Sequence, residues 1–466
     1  MTSEKNKKLY EVNITGYAHD GAGVGRINGQ VVFIPETLVG EKVLVEIMGE
    51  RKGVLRGTVK EVLIPAKERQ TPTCGIYAQC GGCQLQHVSY PAQLEIKVGI
   101  VKQALERIGG FKDVPVLPVL GMEDPWGYRN KGHFQVGYDH QRNRVKLGFF
   151  AEESHLIVPE PCRHLFSPRV SSLIVFLEEL LSAFQVKVEV TGVGTFTPGL
   201  RHLLIRESKA NGEILVVFIY SGKYCEKIRD ISREISRKYP EVVGICQSEN
   251  KRKNGSVLGN KVEIIQGRDW IEDRIGPFIF KISPASFFQV NNAQTAVLYE
   301  KVLKYAALTG AEEVVDAYCG IGTISLFLAQ RARNVLGIEI VPEAINDARN
   351  NAERNGISNV EYRQGKVEKI LPEMITNGIA GIAKRKRPEV VVVDPPRKGC
   401  DRELLDCIIS VQPQRIVYVS CNPATLARDL RILGNGGYTV AEVQPVDMFP
   451  QTAHVETIAR IQRIDS

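Results

Sequence analysis

Three groups of residues in this chain have the types and spacing of working chemistry. The first is Cys421. It stands at the end of the run Val417-Tyr418-Val419-Ser420, where Asn422-Pro423 stops a strand and starts a helix. A lone cysteine is by default a small buried hydrophobe. On the corner of a sheet, with Ser420, Asn422 and a helix start around it, it reads instead as a presented nucleophile whose pKa those surroundings lower. The second group begins with DAYCGIGTISL (316–326), which leaves a strand, turns at Gly320 and Gly322, and enters a helix whose N-terminus faces the turn. Glu339 ends the next strand, where an acid can take the hydroxyls of a ribose. Ser325 replaces the third glycine of a dinucleotide fingerprint, which disfavours NAD and favours S-adenosylmethionine, a cofactor with no pyrophosphate to cradle. In VVVVDPPRKG (390–399), Pro395 and Pro396 stiffen the turn after Asp394 and fix where its carboxylate points, as holding a planar base or the cofactor requires. The third group is CGIYAQCGGC, with Cys74, Cys80 and Cys83 packed close and Gly81-Gly82 allowing the chain to wrap an ion. Zinc and iron–sulfur both remain open from this spacing, and Cys162 in EPCRHLF offers a distant fourth thiolate.

These groups need elements to position them. A chain of 466 residues is too long for one core, so two or three domains are expected. The composition, 43% hydrophobic and 24% charged, is that of a globular protein, and the net charge of +7 is compatible with a nucleic-acid partner without requiring one. MTSEKNKKLY has lysines but no apolar stretch after them, and no run is long enough to span a membrane. The expectation is a cytoplasmic protein with reduced cysteines. Residues 1–66 read as short alternating strands with an Asn28-Gly29 hairpin, hence a small barrel of the oligonucleotide-binding kind. The stretch GAGVG (21–25) belongs to its turns, because no helix follows. Residues 67–285 mix helices and strands, an α+β domain carrying the cysteine turn. Residues 286–466 alternate strand and helix, which means a doubly wound, Rossmann-like α/β sheet with its ligands beyond the carboxyl ends of the strands. Glu339, Asp394 and Cys421 all fall on that rim. The basic run Lys384–Arg387 reads as a solvated loop, and Arg129 in YRNKGHF as either an RNA contact or a surface ion pair.

Taken together, these motifs resemble the RNA uracil-C5 methyltransferases over nearly the whole chain. HDGAGVGRINGQVVFIPETLVGE is similar to the TRAM domain, an RNA-binding module. CGIYAQCGGCQLQHVSY with Cys162 is similar to the family's four-cysteine [4Fe-4S] site. The resemblance implies S-adenosylmethionine contacts at Gln289 in SPASFFQVN, at Tyr318, at Glu339 and at Asp394, the last touching cofactor or uracil. It implies a nucleophile at Cys421 in SCNPATLARDL and a base at Glu456 in FPQTAHVETIARI. It further implies methyl transfer to C5 of a uridine through a cysteine–C6 adduct, with the target base swung out of its stack. The expected substrate is large-subunit ribosomal RNA, with transfer RNA the alternative, and the expected state is a monomer.

Overall fold

The computed structural model describes residues 8–464, apart from 153, 159–161, 163, 193–194, 223–224, 252–256, 260 and 378–386. Lys384 to Lys386 of the basic run lie outside the described residues.

The first sheet has six strands, in the order Leu9–Asn13, Lys42–Arg51, Val54–Ile64, Gln30–Ile34, Gly23–Ile27, Gly16–Tyr17. Its two edge strands are consecutive in the chain and joined by Ile14 and Thr15, so the sheet must curl on itself. The sixth strand is the short Gly16–Tyr17 piece, which pairs with Gly23 and Val24. Gly25 is a strand residue, as expected for a barrel, and a Cβ there would lie 2.3 Å from Val12. Val12, Val32, Val43 and Val45 fill the interior.

The last sheet has seven strands, in the order Val360–Gln364, Asn334–Glu339, Glu313–Ala317, Val390–Val393, Arg415–Ser420, Glu456–Arg463, Tyr438–Val446. Neighbours are parallel through Arg415–Ser420, and Glu456–Arg463 then runs antiparallel to both strands that flank it. The four valines 390–393 are all buried, the mark of a strand covered on both faces. Chain order reverses between Glu313–Ala317 and Val390–Val393, and such a switch point is where α/β sheets bind ligands.

The stretch 67–285 contributes to two bodies. A six-stranded mixed sheet (Val262–Gly267, Val242–Glu249, Ile214–Tyr220, Leu200–Glu207, Lys131–Asp139, Arg144–Gly148) buries one face under helices Pro168–Ala183 and Lys227–Lys238. Ser167 starts the first of these by accepting from the Val170 amide at 3.2 Å, with Pro168 in the first turn. The helix Tyr90–Ala104, by contrast, buries Val101 with Leu426 and Leu430 in the core of the seven-stranded sheet. The hairpin Ile271–Ile275 and Phe278–Ile282 joins the opposite face of that sheet, beside Leu298 and Phe327. The expected boundary at 285/286 therefore cuts through a continuous core. Among the described residues, no helix is long and apolar enough to cross a membrane.

Candidate active site

Cys421 follows Ser420, the last residue of its strand, and Ser420 pairs with Thr457, whose hydroxyl donates to the Ser420 carbonyl at 3.0 Å. Glu456 opens the antiparallel partner, so it stands across from Cys421 on the same rim. Cys421 is half-buried, while Glu456 is only 4% exposed. Beyond Cys421 the chain turns into the helix Pro423–Asn435, capped by Asn422, which accepts from the Ala424 amide at 3.0 Å. The Asn422 side-chain amide also donates to the Arg397 carbonyl at 3.2 Å, which draws the Asp394-Pro-Pro-Arg turn alongside the cysteine.

That turn is fastened from below. The Gly399 amide donates to the Pro396 carbonyl at 2.8 Å, with Gly399 at φ 79°. Fully buried Asp429 accepts from the Cys400 amide at 2.9 Å and from the Tyr418 hydroxyl at 2.6 Å. The two prolines thus act together with a buried carboxylate to hold Asp394 in place.

Three acids share this corner with one cation. Burial raises the Asp394 carboxyl to about 6. Burial, and then the nearby Asp394, raise Glu456 to about 8 against the pull of Arg397. The Cys421 thiol is pushed up to about 11 by burial, Glu456 and Asp394, with Arg397 opposing. This corrects the expectation that the surroundings of Cys421 lower its pKa. The helix start and polar neighbours are present, but two carboxylates and a desolvated pocket outweigh them. The resting group is a thiol that must give up its proton as it attacks, and the carboxylates beside it can receive that proton.

On the cofactor side, the Glu339 carboxylate accepts from the amides of Ile340 at 2.7 Å, Val341 at 3.0 Å and Gly320 at 3.3 Å. This fixes its orientation at the strand end. Tyr318 opens the glycine turn in the left-handed region at φ 63°, followed by Gly320 at 54° and Gly322 at 82°. A Cβ on Gly322 would lie 2.4 Å from the Tyr362 hydroxyl, so the turn closes tightly against the sheet. Ser325, at the place of the missing third glycine, donates to fully buried Asp316. Burial raises Asp316 to about 7. Gln289 is partly buried, and its carbonyl accepts from the Asn130 side chain at 2.7 Å. An anchored acid one strand away from an open glycine turn fits an adenosyl group, and these residues fit S-adenosylmethionine.

The Gly82 amide donates to the Cys80 sulfur at 3.4 Å, and the Cys74 amide to Gln86 at 3.1 Å. Cys83 lies within the electrostatic reach of Cys162 and Cys80, and Cys162 within that of Cys74 and Cys80. Burial raises the thiols of Cys80 and Cys162, and raises Cys83 to about 12. All four cysteines are free thiols. Among the described residues, no three metal-binding side chains are close enough to hold one ion. Four thiolates are a donor set common to zinc and iron–sulfur centres.

A hydrogen-bonded tie runs from this cysteine turn to the segment that precedes Glu456. The amides of Gln84 and Leu85 both donate to the Gln451 carbonyl at 3.0 Å. Gln451, at φ 70°, exchanges side-chain and backbone bonds with Gln93 at 2.9 and 3.1 Å. Lys97 and Asp447, both fully buried, form an ion pair, and the Tyr90 hydroxyl donates to Asp447 at 2.8 Å. The segment 447–452, a few residues before Glu456, is therefore clamped by the helix Tyr90–Ala104 and by the cysteine turn.

Strand ends in the sequence brought Glu339, Asp394 and Cys421 to one rim, and Glu456, known only from the resemblance, starts the antiparallel strand beside it. Sequence reasoning missed Arg397, Asp316 and Gln451. Arg397 stands in the quoted VVVVDPPRKG, and Asp316 begins the quoted glycine turn, yet neither was singled out. Nothing local marks Gln451, whose partners lie more than 350 positions away. Arg129 donates its backbone amide to the Leu165 carbonyl at 2.9 Å, while its Nε is buried without a partner among the described residues.

Residues 208–464 match the family model described as tRNA (Uracil-5-)-methyltransferase, and residues 4–60 match the TRAM domain. An uncharacterized RNA methyltransferase of Halalkalibacterium halodurans is 44% identical over 97% of both chains. One from Clostridium acetobutylicum is 43% identical over 99% of this chain and 98% of its own. Among solved structures, the Pyrococcus abyssi tRNA (uracil-54, C5)-methyltransferase in complex with S-adenosyl-L-homocysteine superposes with a TM-score of 0.74 at 28% identity, covering 97% of this chain and 99% of its own. The chain belongs to the RNA uracil-5-methyltransferase family, TRAM-bearing enzymes that depend on S-adenosylmethionine.

Proposed function

We propose that the enzyme methylates C5 of a uridine in RNA, with Cys421 as nucleophile and Glu456 as base. The observation that carries this reading is the placement of a thiol and a buried carboxyl face to face at the rim, beside the turn of Asp394. Uracil C5 is too weak a nucleophile to take a methyl group unaided. Cys421 passes its proton to the Asp394 carboxylate, which keeps Glu456 free for the later step, and adds to C6, and the ring electrons move to C5 and O4. Bound S-adenosylmethionine, held by Gln289, Tyr318, Glu339 and Asp394, supplies the methyl group that C5 accepts. Glu456 then removes the C5 proton, the C5–C6 double bond re-forms, and the thiolate leaves. A carboxyl near 8 suits that task, since a base works best when its pKa lies close to the operating pH.

The four cysteines 74, 80, 83 and 162 hold a [4Fe-4S] cluster in this reading, and the TRAM barrel grips the RNA. Large-subunit ribosomal RNA is the proposed substrate. A second reading, transfer RNA, is favoured by the Pyrococcus abyssi relative, whose described substrate is uracil-54 of tRNA. Mapping 5-methyluridine in both RNA pools of a deletion strain tests this. Loss confined to ribosomal RNA supports the first reading, loss in transfer RNA the second, and no loss in either pool refutes the activity.

A further inference from the structure

The mixed sheet of the central region turns one face toward its own helices and the other toward the catalytic body. Phe134, Val136, Leu203 and Ile205 lie on the first face, and Leu204 joins the core that contains Phe288 and Leu298. Strand alternation places Lys131 and His133 on the catalytic side, and register places Lys131 directly opposite Arg206. Two like charges across an antiparallel pair repel. Arg206 is only 2% exposed, its guanidinium donates to the Pro284 carbonyl at 3.3 Å and to the Ser286 carbonyl, and its Nε has no partner. Lys131 has neither an ion pair nor a hydrogen bond among the described residues. Burial and Arg206 together push it down to about 8. Beside them, His133 and His202 stack with ring centres 4.7 Å apart, each with a buried, unpartnered ring nitrogen. The charges felt by Lys131, His133 and His202 are all cationic or histidine, namely Arg206, Lys131, Arg201, and His133 itself. Arg201 is balanced by Glu189 at 3.5 Å.

A sheet face that brings Lys131 opposite Arg206, with no carboxylate acting on either among the described residues, is costly to the free protein, and an anion would relieve it. Lys131 follows Asn130, whose side chain bonds the Gln289 carbonyl and Asn292, so the cluster adjoins the segment 283–289 at the edge of the candidate site. We infer that Lys131 and Arg206 form a binding site for a phosphate of the bound RNA, with His133 and His202 as neutral hydrogen-bonding neighbours. This deepens the RNA reading and rests on it. The backbone of a nucleic acid carries a regular array of such anions, and Lys131 has a free ammonium to offer one.

The test is Lys131→Gln in the full-length protein, with Lys131→Arg as the charge-retaining control. Affinity for a fluorescently labelled oligouridylate is measured across a salt series, together with calorimetric binding of S-adenosylhomocysteine and the melting temperature without RNA. The expected result is roughly tenfold weaker RNA binding and a salt slope smaller by about one phosphate. S-adenosylhomocysteine binding should be unchanged, and Tm should rise because the like-charge repulsion is gone. Lys131→Arg should restore RNA affinity. A fall in Tm with unchanged RNA affinity would make the cluster a structural feature and overturn the inference. Weakened S-adenosylhomocysteine binding with an intact salt slope would assign the anion to the cofactor carboxylate and overturn it as well. If wild-type protein shows no salt-dependent RNA binding, the RNA reading itself fails, a result distinct from a variant-specific loss.

Discussion

Replacing Glu456 by glutamine should stabilise the free enzyme, and only above a definable pH. In the unfolded chain this carboxyl titrates near its ordinary value of 4.5, whereas in the fold it titrates near 8. Below pH 4.5 both states hold the proton and the group is neutral in its effect. As pH rises from 4.5 to 8, the unfolded state releases its proton while the native state keeps it, so native stability falls with pH. The loss is complete once the native carboxyl has also ionised. At about 1.4 kcal/mol per unit, the rise from 4.5 to about 8 sets a ceiling of about 5 kcal/mol on this loss. Asp394 titrates in the same pocket and shares the penalty, so about 2 to 3 kcal/mol is the expected share of Glu456. Glutamine has nearly the same shape and never ionises. Urea denaturation of ligand-free wild type and Glu456→Gln at pH 5, 7 and 9 should give nearly equal stabilities at pH 5 and a gap in favour of the variant that widens to pH 9. A gap that does not change with pH, or a wild type that is the more stable at pH 9, would refute the placement of Glu456 in a desolvated pocket beside Asp394.

The same substitution separates the two catalytic roles. Cys421→Ala should form no protein–RNA adduct on denaturing gels, whereas Glu456→Gln should accumulate one that requires S-adenosylmethionine; an adduct from Cys421→Ala would dismiss the nucleophile. Gly322→Ala, at φ 82° with the Tyr362 hydroxyl 2.4 Å from the new Cβ, should lower stability by about 2 kcal/mol and abolish calorimetric binding of S-adenosylhomocysteine. Undiminished binding would remove the glycine turn from the cofactor site. Anaerobically purified protein should be brown and contain iron, and Cys83→Ser should remove both; stoichiometric zinc without iron would exclude the cluster.

The catalytic sheet was legible in the sequence because its signals are local. Val390 to Val393 form a buried apolar run, and Asn422-Pro423 is both a strand stop and a helix cap. Cys421, Asp394 and Glu339 all end strands, and strand ends in a parallel sheet share one rim. Glu456 was reachable only through the family motif, since it begins its strand and comes to that rim by running antiparallel. The pKa of Cys421 went wrong for a related reason. Its neighbours in sequence are polar, but its neighbours in space are Glu456 and Asp394. Domain limits were blurred because the helix Tyr90–Ala104 is an ordinary amphipathic segment whose partners, Leu426 and Leu430, lie in another part of the chain. The cross-strand meeting of Lys131 with Arg206 depends on a register that no short window of sequence reveals.

The strand Glu456–Arg463 lies between Arg415–Ser420 and Tyr438–Val446, both of which precede it in the chain. During synthesis those two strands leave the ribosome first and must wait with a gap between them. Until residue 463 has emerged, the sheet has unpaired edges and the rim has a thiol but no facing carboxyl. The waiting strands are apolar, and Ile416, Val417, Val443 and Val446 are all buried in the finished sheet. A nascent chain is therefore both catalytically silent and exposed to mispairing at the same spot. The clamp on residues 447–452 by Gln93, Lys97 and the cysteine turn addresses this, because segments made early are already folded to receive the late strand and set its register. The tie that holds the segment before Glu456 in the finished protein is in this sense also an assembly guide.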